Sequence, residues 1–390
     1  MNLQKIMLQN FRSYPKKTFE FSSAVTLIVG PNTAGKTNIL EAIMFCATGK
    51  SFRADVDRET IAWGSDISRV TAEVNHGAEI ANQNSRVLQS SPPAGGSAPS
   101  AQGSNFDSLT APETVTLELV LTIGEVQGAK APMKKYLVNG VPRRMVDFVG
   151  SLRAVLFWPE HLELVTDSPS LRRRYLDSVL VQVDREYRRN LFSYERGLRQ
   201  RNRLLDIINE GKADRRQLLF WNQLLIHAGG HLTDKRQEFI EFINSYHISH
   251  ITYHVAYDKS VISESRLEQY KDEEVAAGAT LVGPHRDDFI VNKQQTTNNK
   301  QPEQYLELSK YGSRGEQRLA VLWMKLAELA FIEQEMGERP ILLLDDIFSE
   351  LDEAHRELVV DLIGKQQTIL TSADEGILEM IPKKITILRL

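Results

Sequence analysis

The 390-residue chain is 42% hydrophobic and 25% charged, with a net charge of −4. This composition predicts a packed core in one large domain or two modest ones, and the single cysteine, Cys46, excludes an intrachain disulfide. No apolar run is long enough to span a bilayer, so a cytoplasmic protein is expected, and the negative balance means that any DNA contact must come from a local patch.

In chain order, the first elements read as strands. Phe19 and Phe21 share one face of a short strand, and Val25 to Val29 form an apolar run that stops at Gly30-Pro31-Asn32. A helix is predicted from about Lys36 to Thr48, with Ile39, Ile43 and Cys46 on one face, which makes Cys46 a small core residue. From Ser68 to Val138 the period is closer to two. Thr114 to Thr122 alternates well, and Tyr136-Leu137-Val138 meets Asn139-Gly140, a strong hairpin signal. Between these strands, residues 81–112 are rich in Ser, Gly, Pro, Asn and Gln and are expected to form a disordered loop.

Leu171 to Tyr246 is helical in pattern. Tyr187, Leu191, Tyr194, Leu198, Leu205 and Ile208 form a stripe with a polar gap at Arg201, a turn follows at 209–212, and Leu224, Leu225, Ala228 and Leu232 resume it. The pattern predicts an antiparallel helical hairpin with arms of at most about 50 Å. After Ile251 the chain returns to strands and then alternates: helix from Glu316, strand Ile341 to Leu344, helix from about Glu353, strand Thr368 to Leu370 and strand Ile385 to Leu390.

Gly30-Pro31-Asn32-Thr33-Ala34-Gly35-Lys36-Thr37 is a complete G-x-x-x-x-G-K-[ST] loop between a predicted strand and helix. Its glycines let backbone N–H groups turn toward phosphate oxygens at a helix N-terminus. Lys36 is expected to reach the β- and γ-phosphates of ATP, and the Thr37 hydroxyl to ligate Mg²⁺. The apolar run Ile341 to Leu344 ends in Asp345-Asp346, which reads as a buried strand delivering carboxylates to a sheet edge. Asp345 is the expected Mg²⁺-side carboxylate and Asp346 the general base for the attacking water.

Two shorter segments sharpen the class. Ser313-Arg314-Gly315-Glu316-Gln317 resembles the ABC-type signature, usually written with a second glycine where Arg314 stands. Ser349-Glu350-Leu351-Asp352 resembles the D-loop of the same superfamily. Alone, Ser313 reads equally as a helix cap, and Asp352 as a turn residue. Thr37 and Asp345 lie 308 positions apart, so the two halves of the ATPase surround a helical insertion, as in the SMC-type branch but without long coiled-coil arms.

Over nearly its whole length the chain resembles the RecF family. The resemblance rests on Leu8 to Tyr14, on Phe157 to Leu162 with Ser168-Pro169 and Arg172-Arg173-Arg174, on Gly283 to Asp288 and on Leu343 to Asp352. Asp167 departs from the family pattern, which usually has glycine there, and the 81–112 loop lies outside that pattern. The resemblance implies an α/β fold: an ABC/SMC-type P-loop ATPase head with an antiparallel β lobe and a short inserted helical domain. The expected division is 1–165 and 251–390 for the two halves of the ATPase and 166–250 for the insertion. It also implies an ATP-dependent homodimer, with each ATP held between the P-loop of one copy and Ser313 to Gln317 of the other. Double-stranded or gapped DNA is the implied ligand, with RecR and RecO as partners that help load RecA at single-strand gaps. With no Gln in the Q-loop position and no switch His near Thr371-Ser372, hydrolysis is expected to be slow.

For DNA, Leu171 to Arg216 holds 13 Lys or Arg against 7 Asp or Glu, a net of +6. Arg172, Arg173, Arg174, Arg188, Arg189, Arg199, Arg201 and Arg203 are the candidates for gripping phosphates without reading bases. An ion-paired, solvated helical face explains the same charges, and Arg173 or Arg174 could instead support the ATP site. His285, Arg286, Asp287 and Asp288 read as structural or interface residues, because one His and two adjacent acids do not make a metal site. The wide split and the family-like segments argue against a transport ATPase, which would need a membrane partner, and the one short αβ unit after Asp352 argues against an SMC-like nuclease, which would be expected to carry an added domain with clustered metal-binding acids. A non-hydrolysing interaction scaffold remains the alternative.

Overall fold

A computed structural model gives the fold and describes residues 1–76, 113–248, 252–294, 305–349, 353–373, 375–379, 381 and 385–390. The expected loop at 81–112 and Asp352 lie outside these residues. Among the described residues no helix is long and apolar enough to cross a membrane.

Two sheets sandwich one helix. The first is antiparallel, in the order Tyr14–Glu20, Asn2–Phe11, Ile67–His76, Glu113–Thr122, Lys134–Val138, Val141–Arg143. Leu117, Leu119 and Leu121 alternate with more exposed neighbours and turn one face to the core, as the period of two predicts. Asn139 and Gly140 both have positive φ, 51° and 75°, which is what a two-residue hairpin turn of this hand requires.

The second sheet is fully parallel, in the order Ala154–Phe157, Ile341–Asp345, Thr368–Ser372, Val25–Val29, Ile385–Arg389. Its central strands are apolar on both faces, as parallel strands covered on both sides must be. Helix Lys36–Thr48 packs against strands of both sheets. Its burial therefore extends around most of its circumference rather than along the one face that Ile39, Ile43 and Cys46 marked out. Gln367 ties the sheets together: its amide N–H donates to Leu3 O at 2.7 Å and Ser22 O at 2.8 Å, and its oxygen accepts from Leu3 N at 2.7 Å.

The helical pattern of residues 171–246 resolves into Pro169–Val183, Arg185–Asn209 and Leu219–Ser245. The break falls at Asp184, whose carboxylate accepts from the N–H groups of Glu186 and Tyr187 and so starts a new helix. The last two helices pack as the expected hairpin, turning through Gly211, with arms of about 40 Å. A three-stranded antiparallel sheet, Tyr253–Asp258, Asp288–Gln294 and Tyr305–Glu307, leads into helix Arg314–Met336. That helix packs on Pro169–Val183 and Leu219–Ser245 and joins the hairpin to the head.

Candidate nucleotide site

The loop 30–37 leaves the C-terminal end of strand Val25–Val29, and Asp345 closes strand Ile341–Asp345. Both strands run the same way, with only Thr368–Ser372 between them. Two strand spacings of about 4.8 Å separate the strands that end at Val29 and Asp345, residues 316 positions apart in the chain. The phosphate loop and the acids thus share one sheet edge, where parallel α/β sheets bind ligands.

Within the loop, Thr33 and Gly35 have φ of 77° and 98°, the left-handed turns that direct successive N–H groups into a concave cradle. A Cβ at Gly35 would stand 2.7 Å from the Tyr14 hydroxyl, so the position admits only glycine. Tyr14 donates to Ala34 O at 3.4 Å, and burial pushes its phenol up to about 12. Lys36 is 8% exposed, and its ammonium donates to Gly30 O at 2.6 Å and Pro31 O at 3.1 Å. Thr37 is half-buried on the first turn of the helix. Pro31 and Asn32 form the exposed rim.

The helix behind the loop is anchored from the first strand. Arg12 forms a fork onto Glu41, with contacts of 2.8 and 2.6 Å, and Ser51 Oγ donates to the same fully buried carboxylate at 2.5 Å. Beside the loop, Asn38 donates to Ser13 Oγ at 3.0 Å and accepts from Arg53 at 3.2 Å.

At the acidic end, Thr371 is the residue that reading the sequence missed. Its hydroxyl donates to Asp345 Oδ1 at 2.7 Å and accepts from Asp346 N at 3.1 Å. Asp345 and Thr371 are register partners across neighbouring strands. Asp346 has φ of 48°, a conformation an L residue holds at a cost of about 1–3 kcal/mol. Glu160, just after strand Ala154–Phe157, adds a third acid. Partial burial raises its pKa and the charge of Asp345 adds to the shift, while Arg53 opposes it.

The residues present fit a nucleotide with a divalent cation. The cradle offers backbone donors to phosphates, while Thr37 and Asp345 supply a hydroxyl and a carboxylate. One carboxylate and one hydroxyl beside substrate phosphates and waters is the kind of donor set that Mg²⁺ takes.

Ser313 caps helix Arg314–Met336 in a reciprocal capping box. Its Oγ accepts from Glu316 N at 3.3 Å, and Glu316 Oε2 accepts from Ser313 N at 2.8 Å. Glu316 is also ion-paired with Lys293. Arg314 and Gly315 are exposed, whereas Gln317 is buried and donates to Leu308 O at 3.1 Å. Ser349 ends a short helical turn, Ile347–Ser349.

The arginine candidates divide sharply, and three of them are corrected. Arg172 is buried and grips Asp288 at 2.6 and 2.9 Å. Arg188 is buried and donates to Val181 O at 2.6 Å, with burial lowering its pKa to about 10. Arg201 is 2% exposed and spends its guanidinium on Glu274 at 2.7 Å, Thr280 at 2.8 Å and Asn222 at 2.8 Å. None of the three presents a cation to solvent; each neutralises a polar contact inside the helical region, which is why Arg201 sits as a gap in an apolar stripe. Arg173 is half-buried and donates to Asp287 O at 2.7 Å. Arg189, Arg199 and Arg203 are exposed, as is Arg196, which the charge count alone did not single out.

The Gly283–Asp288 segment is a structural hub. Asp287 is fully buried and accepts from Arg236 at 3.0 Å, Ser260 N at 2.7 Å and the Tyr257 hydroxyl. His285 bridges Tyr194 and Thr280 O, at 2.8 and 3.0 Å. The segment therefore joins the helical hairpin to the three-stranded sheet. Asp167 closes a short helix with φ of −107°, an ordinary extended conformation with no need for glycine.

An AAA domain family model matches residues 5–108. The DNA replication and repair protein RecF of Lachnoclostridium phytofermentans is 31% identical, with 99% of this chain and 96% of that protein aligned. The RecF protein of Herpetosiphon aurantiacus is 34% identical, over 96% of this chain and 94% of that one. A solved structure described as the recombination mediator protein RecF-ATP in the RecFOR pathway has a TM-score of 0.76 at 26% identity, covering 96% of this chain and 92% of that one. With its phosphate loop and acidic strand at one sheet edge and this full-length likeness, the chain belongs to the RecF family of DNA replication and repair proteins, built on a P-loop ATPase fold.

Proposed function

We propose that this protein binds ATP with Mg²⁺ at the loop 30–37, hydrolyses it slowly, and uses an ATP-dependent homodimer to hold double-stranded or gapped DNA during recombinational repair. The observation that carries the reading is the Thr371 bridge, which fixes Asp345 and Asp346 at the sheet edge that also bears the phosphate loop. The RecF structure with ATP supports the choice of nucleotide.

In this reading, backbone N–H groups of Asn32 to Gly35 receive the phosphates. Lys36 exchanges its contacts with Gly30 O and Pro31 O for the β- and γ-phosphate oxygens. Thr37 and Asp345 would hold Mg²⁺, which neutralises charge on the transferred phosphoryl group. Asp346 orients the attacking water and accepts its proton. Ser313 to Gln317 of a second copy would complete the site, with Ser349 and Asp352 lining the shared interface. For Ser313 to reach a phosphate, Glu316 must swing away, because its carboxylate now lies beside the Ser313 hydroxyl. Arg173, Arg189, Arg199 and Arg203 would contact DNA, and the RecFOR context supports action with RecR and RecO to help load RecA at gaps.

The capping box at Ser313 favours a second reading, a monomeric interaction scaffold that retains an ATP site. Light scattering of Asp346→Asn with and without ATP and Mg²⁺ separates the two. A dimer formed only with ATP supports the clamp. A monomer in both states, with ATP bound, removes the shared site.

A further inference from the structure

The segment Ser313 to Gln317 opens helix Arg314–Met336, and its polar side chains are not equally available. The Ser313 hydroxyl belongs to the capping box: it accepts from Glu316 N at 3.3 Å and lies 3.1 Å from Glu316 Oε2. Glu316 is held in addition by Lys293. Gln317 is buried, with its amide on Leu308 O at 3.1 Å and Gly312 O at 3.4 Å. Arg314 differs from all of these. It is exposed and has no ion pair or hydrogen bond among the described residues.

Two features of this turn serve nothing inside the chain. A cation on the first turn of a helix opposes the positive end of the helix dipole, and Arg314 has no carboxylate paired with it. Gly315 lies in the helix without a positive φ, and a Cβ there would meet nothing nearer than Ser313 Oγ at 4.0 Å. The fold therefore does not require glycine at 315, although glycine in a helix costs stability relative to alanine. A bare backbone beside an unpaired guanidinium suits the close approach of an anion from outside the chain.

Phosphoryl transfer spreads negative charge over the terminal phosphate, and a guanidinium supplied by a second subunit is one way of meeting it. The loop 30–37 contributes a single cation of its own, Lys36. We infer that Arg314 of one copy meets the terminal phosphate of the ATP bound to the other copy. This inference rests on the shared-site reading above. It moves the catalytic contact from the Ser313 hydroxyl to a guanidinium that needs no opening of the capping box. During hydrolysis the oxygen of the attacking water bonds to the γ-phosphorus as the bond to the β–γ bridging oxygen breaks. The electron pair of the broken bond leaves with ADP, and a water proton passes to Asp346. The Arg314 guanidinium donates hydrogen bonds to the γ-phosphate oxygens throughout and transfers no proton.

The test uses the full chain with ATP and Mg²⁺. Arg314→Ala should hydrolyse ATP about a hundredfold more slowly than the parent, and Arg314→Lys, which keeps the charge without the fork, should lie between them. The melting temperature and the ATP affinity of Arg314→Ala monomers should stay near those of the parent, because the side chain touches nothing in its own copy. Arg314→Ala and Asp346→Asn, each slow alone, are then mixed before ATP is added. A mixed dimer has one site in which the intact Asp346 of one copy faces the intact Arg314 of the other, so turnover should rise above that of either variant. Turnover by Arg314→Ala equal to the parent's, or a mixture no faster than its components, overturns the assignment and leaves the dimer standing. Light scattering keeps the two readings apart: Asp346→Asn with ATP bound yet monomeric removes the shared site itself, and the role of Arg314 with it.

Discussion

The Thr371 hydroxyl lies between the two acids of the neighbouring strand, donating to Asp345 at 2.7 Å while accepting from the backbone of Asp346 at 3.1 Å. One side chain thus sets the orientation of the proposed metal-side carboxylate and holds the strained backbone of the proposed base. Thr371→Val keeps the shape and removes both bonds. ATP turnover should fall tenfold or more while ATP binding changes little, because the interaction acts on geometry at the water rather than on the phosphates. The strand should lose about 1–3 kcal/mol of stability from the orphaned polar groups. Steady-state hydrolysis beside nucleotide titration measures both, and a turnover equal to the parent's would reduce Thr371 to a strand-packing residue.

Lys36→Met and Asp346→Asn should separate binding from chemistry. The first removes the charge that meets the phosphates and should weaken ATP binding or block its use. The second should bind ATP as the parent does and hydrolyse it at least a hundredfold more slowly, as loss of a general base does. Asp346→Asn hydrolysing at the parental rate would assign the base elsewhere, and Glu160, whose pKa the charge of Asp345 helps to raise, would be the next acid to test.

Arg201 and Arg203 are two positions apart and should behave as different kinds of residue. Arg201→Ala leaves Glu274 buried without its partner and should cost about 3–5 kcal/mol, read as a lower denaturation midpoint. Arg203→Ala should leave the midpoint within about 0.5 kcal/mol and reduce the salt slope of DNA binding by about one phosphate contact. Equal stability losses at both positions would contradict the burial difference.

Burial holds the His285 imidazole down to about 4 in the folded protein, well below the 6.5 of an ordinary histidine. The unfolded chain therefore takes up a proton first as pH falls. The stability contributed by neutral His285 is complete above about pH 6.5 and is lost progressively toward pH 4, by up to about 3 kcal/mol. Melting temperature against pH should fall across this window, and His285→Gln should flatten the fall. A parent and variant with parallel profiles would place the acid sensitivity in other groups.

The sequence alone determined what local rules govern. The loop 30–37, the apolar run into Asp345-Asp346, the Asn139-Gly140 hairpin and the helical arms around Gly211 depend on backbone conformation, short spacing and periodicity, all of which a linear reading contains. Tertiary structure decided what depends on neighbours remote in the chain. Thr371 became a site residue only when strand register set it opposite Asp345. Arg172 and Arg201 left the DNA face only when Asp288 and Glu274, more than 70 positions away, were found beside them. A guanidinium written in a helix reads the same whether it is solvated or buried on a carboxylate. The difference is a desolvation energy set by what packs against it, and that partner is chosen by the fold.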